Sequence, residues 1–342
     1  MHRAAACGDA PAVLNLLARN ANVHAFDVDR LLPVHHAARN GHAKVVAMLL
    51  QHKVNVDALG GRFFCNRQEG YPPLAWAAEY GCGSVVDVLI ANRADLNARD
   101  EAGNTALSWA TELGHTDVVK MLLDHQADAN AHRQAAFPPL HRAATYGFIG
   151  ITALLLERKA DVNRRSNLRD TALHIAAKKG WATIVALLLQ HDADVTALSR
   201  LGQTPFHLAI QGIAKFPDEH EQTVWTLIYE TKSRARAKEA LRQIDREGKT
   251  PVDVAIHTSN AHLVAELLTL GESIPSSDRL PPEAKDVLRR AQGMLNRADF
   301  FRVFRTITSR NSLSAPEDIQ NLIMSFVMMD GDKHDAADTR DC

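Results

Sequence analysis

The chain has 342 residues, enough for one to three domains. Apolar residues make up 46% and charged residues 23%, which excludes an intrinsically disordered chain. The 39 basic and 40 acidic residues nearly cancel, so no global charge draws the chain to nucleic acid or an anionic membrane.

Six segments line up in chain order: "PVHHAARNGH", "PPLAWAAEYG", "TALSWATELG", "PPLHRAATYG", "TALHIAAKKG" and "TPFHLAIQGI". The first five each lead into a second apolar run: "VVAMLL", "VVDVLI", "VVKMLL", "ITALLL" and "IVALLL". A polar turn follows each run: "VNVDA", "ADLNA", "ADANA", "ADVNR" and "ADVTA". The spacing predicts a pair of helices and a turn in every unit. Gly8, Gly41, Gly81, Gly114, Gly147 and Gly180 close the first helices, with gaps of 33, 40, 33, 33 and 33. Thr204 and Pro205 read as a helix start, and Gly147 suits a left-handed helix end. Ala143 and Ala144 let helices approach closely, and Leu154, Leu155 and Leu156 reach the neighbours. One such unit cannot bury its own apolar faces, so the units must stack.

A 33-residue period with a T-P-L-H-x-A-like signature resembles the ankyrin repeat. The resemblance covers residues 1–274 and implies an all-α solenoid of about eight helix-turn-helix units with short hairpin loops. Two insertions are expected, near residues 59–70 and 212–245. The eighth unit, "KTPVDVAIHTSNAHLVAELLTLG", carries Asp253 at the His position and reads as an aberrant closing repeat. The family usually has Gly at the end of the second helix. Here Asn20, Lys53, Arg93, Gln126, Lys159 and Asp192 stand there. A left-handed backbone at these places costs about 1 kcal/mol or less each, so the solenoid is expected to be less stable than a consensus one.

His2, His35, His141, His174 and His207 share one repeat position. They are expected to hydrogen-bond the turn and tie adjacent units, not to bind metal. No H-x-x-x-H on a helix appears, so neither metal nor cofactor is expected. Asn97, Asn130 and Asn163 are expected to stabilise their hairpin turns. The sequence contains no G-x-S-x-G, no P-loop and no G-x-G-x-x-G, so it is read as a non-enzyme. The competing reading is an enzyme, or a regulatory subunit, with a site in the solenoid groove or the C-terminal segment.

By resemblance, partners bind the concave face, built from hairpin tips and the exposed side of the first helices. Mapped by repeat position, the candidates there are Tyr71, Glu79, Tyr80, Arg99, Glu101, Glu112, Leu113, Phe137, Tyr146, Lys178 and Lys179. Aromatic rings with interspersed charge suit an interface centre. The competing reading is that each ring packs on the neighbouring unit's loop. Trp76 and Trp109 are read as packing between units. Residues 230–249 are locally basic but carry acids as well and no interleaved aromatics, so they read as a solvated helix or loop rather than a nucleic-acid site.

A Pro- and Ser-containing break puts a boundary near residue 275, and 275–329 reads as a helical segment. Within it, "LSAPEDIQNLIMSFV" starts with a capping box at Ser314 and Glu317 and has one apolar face. Pro316, Glu317, Ile319, Ile323, Ser325 and Val327 match the first helix of an F-box, although Ala315 stands where that pattern has Leu. An F-box-like helix after ankyrin units resembles the PRANC arrangement of poxvirus and endosymbiont proteins. That resemblance implies recruitment of a cullin-type ubiquitin ligase through a Skp1-type adaptor, with Pro316, Ile319, Ile323 and Phe326 as contacts. The alternative is that this helix merely caps the last repeat. Residues 330–342 are polar and expected to be disordered.

No run of 18 apolar residues exists, so no membrane span is expected. The N-terminal "MHRAAACGDA" has no apolar h-region, and Cys7, Cys65, Cys82 and Cys342 form no C-x-x-C pair. These features point to a cytoplasmic protein, including the host-cell cytosol if the PRANC resemblance holds. A monomer is expected.

Overall fold

The computed structural model describes residues 1–61, 63–64, 67–68, 70–100, 103–131, 137–258, 260–270, 283 and 285–294. The chain divides into two units, Met1–Thr258 and Ser259–Cys342. The division falls between the two helices of the eighth sequence unit.

In the first unit, seven helix pairs follow one another: α1 (His2–Ala6) with α2 (Ala10–Ala18), α3 (Pro33–Arg39) with α4 (Ala43–Gln51), α5 (Pro73–Glu79) with α6 (Gly83–Ala91), α7 (Ala106–Glu112) with α8 (Thr116–Asp124), α9 (Pro139–Tyr146) with α10 (Ile149–Glu157), α11 (Ala172–Lys179) with α12 (Ala182–Gln190), and α13 (Pro205–Ile213) with α14 (Pro217–Glu230). Two further helices, α15 (Arg234–Arg242) and α16 (Pro251–Ile256), complete it. First helices pack on first helices from α1 to α13 and on to α16, and second helices pack on second helices, giving two layers. This is the all-helical solenoid that the period implies.

The core lies between the layers. The Ala pairs of the first helices, such as Ala143–Ala144 and Ala176–Ala177, are fully buried, and only methyl-sized side chains allow that approach. Val45, Leu89, Leu122, Leu155 and Leu188 of the second helices are likewise sealed. Each buried Leu contributes roughly 1.5–3 kcal/mol of transfer free energy.

The motif histidines tie units together as their position predicts. His2, His35, His141, His174 and His207 donate through Nε2 to the carbonyls of Ala25, Ala58, Asp170, Gln203 and Lys249, at 2.8–3.1 Å. Nδ1 of His35, His174 and His207 accepts the N–H of Leu32, Thr171 and Thr204 at the helix start. The hairpin asparagines form a second ladder. Asn97, Asn130 and Asn163 accept the N–H of Asp128, Asp161 and Asp194 in the next hairpin.

A third ladder was not evident in the sequence. The N-cap residue of each second helix, or His220 in the first turn of α14, leans back onto the closing glycine of the preceding unit. His42 lies over Gly8, Cys82 over Gly41, His115 over Gly81, Phe148 over Gly114, Trp181 over Gly147 and His220 over Gly180. His42, His115 and His220 also hydrogen-bond the carbonyls of Ala6, Glu79 and Lys178. At Gly114, φ is +77° and an added Cβ would stand 2.8 Å from the Phe148 ring.

The 40-residue gap is taken up by a longer hairpin. Strands β1 (Phe63–Phe64) and β2 (Arg67–Gln68) pair antiparallel, Phe63 with Gln68 and Phe64 with Arg67, and a Gly60–Tyr71 bridge closes the base. The second insertion lengthens α14 and adds α15, which buries Ala237, Ala240 and Leu241. Asn20, Lys53, Arg93, Gln126, Lys159 and Asp192 all have φ between 55° and 68°.

The second unit contains α17 (Ala261–Thr269), capped by Asn260 through the Leu263 N–H, and a helical segment over 285–294. Leu263, Val264, Leu267, Val287, Leu288 and Ala291 are buried. The F-box-like stretch with Pro316, Ile319, Ile323 and Phe326, and the tail 330–342, lie outside the described residues.

Candidate protein-binding face

The last residue of a first helix, or its C-cap, sits one place before the closing glycine and points away from the two-layer core. Tyr80, Leu113 and Tyr146 occupy that register in successive units and are 40%, 49% and 50% exposed. Lys179 continues the row, with Lys178 beside it, and both are exposed. These side chains form one surface stripe of three large apolar groups running into two cations.

The stripe is braced from beneath. The Arg39 guanidinium lies 5.1 Å from the Tyr80 ring centroid and 5.8 Å from Trp76, while Tyr80 stacks on Trp76. Arg142, on α9, is mostly buried and pairs with Glu112 on α7. It also donates to Asn104 Oδ1 at 2.5 Å and to the Phe137 carbonyl at 3.2 Å. Asn104 and Trp109 in turn donate to the buried Asp100 carboxylate, at 3.0 and 3.2 Å. Burial pulls the Arg142 pKa below its ordinary value, and the fields of Tyr146 and Asp100 oppose that. The Tyr146 hydroxyl reaches the same Glu112 at 3.4 Å, and its ring stacks on Phe148. Rings held this way lose little freedom when a partner covers them.

The sequence-predicted residues therefore divide. Tyr80, Leu113, Tyr146, Lys178 and Lys179 share the stripe, and exposed Phe137 and Arg99 lie on hairpin segments. Tyr71 is half-buried, its ring 5.6 Å from Trp76 and 5.8 Å from Trp109, so it follows the packing alternative. Glu112 is committed to Arg142. Glu79 is half-buried, and its carbonyl accepts His115. Glu101 lies outside the described residues. Sequence reasoning missed Arg142 and Asp100, because an Arg on a first helix reads as surface. The available signal was an Asp at the hairpin tip, repeated at Asp27, Asp100 and Asp245.

Two of the motif histidines are held neutral. Burial lowers His35 and His174 to about 4, opposed by the hydrogen bonds that their rings donate to the Ala58 and Gln203 carbonyls. Burial also lowers His207. Among the described residues no group of three His, Cys, Asp or Glu side chains converges as a metal site, and no helix is long and apolar enough to cross a membrane.

Stacked helix pairs, hairpins stitched edge to edge and a braced apolar stripe define a repeat protein whose surface is built for contact. A search of the curated proteins returns no match. The family model described as "Ankyrin repeats (3 copies)" matches residues 1–100, 85–166 and 140–239. The chain belongs to the ankyrin-repeat family, whose domains serve as protein–protein interaction scaffolds. The human ASB11 ankyrin repeat domain is similar at 25% identity and a TM-score of 0.56, over 66% of this chain and 96% of that one. The ankyrin repeat domain of Bcl-3, a member of the IkappaB protein family, is similar at 26% identity and a TM-score of 0.53, over 60% of this chain and 91% of that one.

Proposed function

We propose that this protein is a non-catalytic scaffold, acting as a cytoplasmic monomer, that holds a protein partner on the concave face formed by its first helices and hairpins. The observation that carries the reading is the Tyr80–Leu113–Tyr146 stripe: three large apolar side chains exposed one repeat apart at the same register of successive first helices. Aromatic anchors in a rigid frame are the groups that dominate interface energy, typically about 2 kcal/mol or more each, roughly thirtyfold in affinity. The test is capture of partners from a cell lysate by the intact chain and by Tyr80→Ala/Tyr146→Ala, each checked for unchanged thermal unfolding. Retained capture by the folded double variant removes the stripe from the reading.

The sharper reading is an adaptor, in which the repeats hold a target and the F-box-like sequence around Ile319 and Ile323 recruits a Skp1-type partner. Its support is the F-box-like pattern from Pro316 to Val327 standing after a closing repeat. Co-purification of Skp1 with the intact chain, lost in Ile323→Asp, is the expected result. Folded, intact protein that does not bind Skp1 ends this reading and leaves the scaffold reading standing.

A further inference from the structure

A second feature lies further along the same face, past the three apolar groups of the stripe and sharing Lys178 with it. Three hairpin tips follow one another at 166–169, 199–202 and 245–248. Each is closed by the side chain of its first residue: Ser166 and Ser199 through their hydroxyls, Asp245 through its carboxylate. The tips are joined edge to edge. The Arg200 N–H donates to the Leu168 carbonyl at 3.1 Å, and the Arg246 N–H donates to the Leu201 carbonyl at 3.0 Å. This stitching fixes a groove of about 490 Å³ between the tips and helices α11 and α13. That volume is in the range of sites that enclose a small ligand or a few residues of peptide.

Leu168 and Leu201, 44% and 54% exposed, stand on its rim. Its charged lining is Lys178, Arg200, Arg246 and one carboxylate, Asp170. All three cations are exposed, and none forms an ion pair with a described residue. Asp170 is half-buried, faces Lys178 and has its pKa raised by burial. The groove is thus a local excess of two positive charges on a chain whose net charge is −1. No aromatic ring lines it, so it offers no stacking platform for nucleobases.

We infer that this groove binds a short, extended acidic peptide that carries apolar side chains about three residues apart. Charge complementarity selects the acids, and the repeat selects the spacing. Adjacent repeats lie about 10 Å apart, the usual helix-packing distance, and a chain extended as a polyproline-II helix rises about 3.1 Å per residue with three residues per turn. Apolar residues three apart therefore fall on one side of the peptide and reach Leu168 and Leu201 together, with the intervening carboxylates directed to the flanking cations. This inference rests on the scaffold reading and gives it a partner chemistry.

The test is fluorescence anisotropy of the full chain with labelled Gly-Leu-Glu-Glu-Leu-Gly and Gly-Leu-Lys-Lys-Leu-Gly. The acidic peptide is expected to bind and the basic one to fail. Arg200→Glu/Arg246→Glu is expected to weaken the acidic peptide about tenfold or more and to gain the basic one. Added salt should weaken the acidic complex. Circular dichroism melts establish that each variant is folded, and Arg200→Gln/Arg246→Gln replaces the reversal if it is not. Equal binding of both peptides, no binding to folded wild type, or indifference to the charge changes overturns the inference. So does tighter binding of an oligothymidylate that the same changes abolish. Failure of the acidic peptide while partner capture still depends on Tyr80 and Tyr146 overturns this inference alone. Peptide binding with capture indifferent to those tyrosines overturns the stripe alone.

Discussion

Mild acid should loosen this solenoid well before its carboxylates protonate. His35 and His174 donate through Nε2 to Ala58 and Gln203, and each accepts a backbone N–H at Nδ1. A second ring proton would point at that N–H donor inside a sealed site, so protonation and the native fold compete. Burial lowers both groups to about 4, from 6.5 in the unfolded chain. Because the folded pKa is depressed, the stabilisation is fully present above pH 6.5 and is lost as pH falls towards 4. Between pH 7 and pH 5 the loss is about 2 kcal/mol per histidine, or about 4 kcal/mol for the two. Exposed histidines that titrate alike in both states contribute nothing, and ordinary carboxylates titrate mostly below this window. The assay is urea unfolding followed by circular dichroism at pH 7, 6 and 5 and constant ionic strength, for wild type and His174→Asn. The variant should be less stable at pH 7 and should lose about 2 kcal/mol less than wild type between pH 7 and 5. Parallel pH profiles for the two proteins would refute the reasoning.

Other outcomes follow from particular positions. Arg93→Gly and Gln126→Gly, at φ 60° and 68°, should each raise stability by about 0.5–1 kcal/mol and should add, since they sit in different units. Denaturant midpoints check this, and an unchanged midpoint sinks it. Gly114→Ala should cost about 2 kcal/mol in the same assay, combining left-handed strain with contact against Phe148. Phe148→Ala should relieve the contact share but not the strain, so the double variant stays below Phe148→Ala alone. Arg142→Met should cost about 2 kcal/mol by stranding Glu112 and Asn104. A double-mutant cycle with Glu112→Gln should show coupling above about 0.5 kcal/mol, and additivity would mean that the pair is not coupled.

Much of this architecture is legible in the sequence because backbone chemistry repeats with fixed spacing. The five motif histidines, the hairpin asparagines and the six left-handed positions all follow from position within the 33-residue unit, and each makes the bond or adopts the φ that its position requires. What escapes is whatever varies in residue type at one register. His42, Cys82, Phe148 and Trp181 perform one task with a ring or a thiol, so no single letter marks the position. Tyr71 looks equivalent to other residues before a helix start. The inserted hairpin instead carries it to Trp76 and Trp109, and Trp76 is anchored by the Gly60 carbonyl. The groove at Leu168, Leu201 and Arg246 is hidden for a related reason. The second insertion sets Arg246 45 positions after Leu201, so no regular period joins them.

The two ladders run in opposite directions. The motif histidine of a unit, where present, reaches forward to the following hairpin, while a residue at the start of the second helix reaches back to the previous glycine, and His42, His115 and His220 also to a carbonyl. The boundaries that follow the units of His2, His35, His141 and His174 are therefore sewn from both sides with different thread. Cutting the array at one of these leaves a carbonyl without its imidazole on one stub and a side chain without its glycine seat on the other. The third and fourth units, with Ala75 and Ser108 at the histidine position, are held by the backward contact without that forward bond, so a shortened version is less costly to trim there than at the doubly sewn seams. For the same reason, a disturbance in one unit is handed to both neighbours at once.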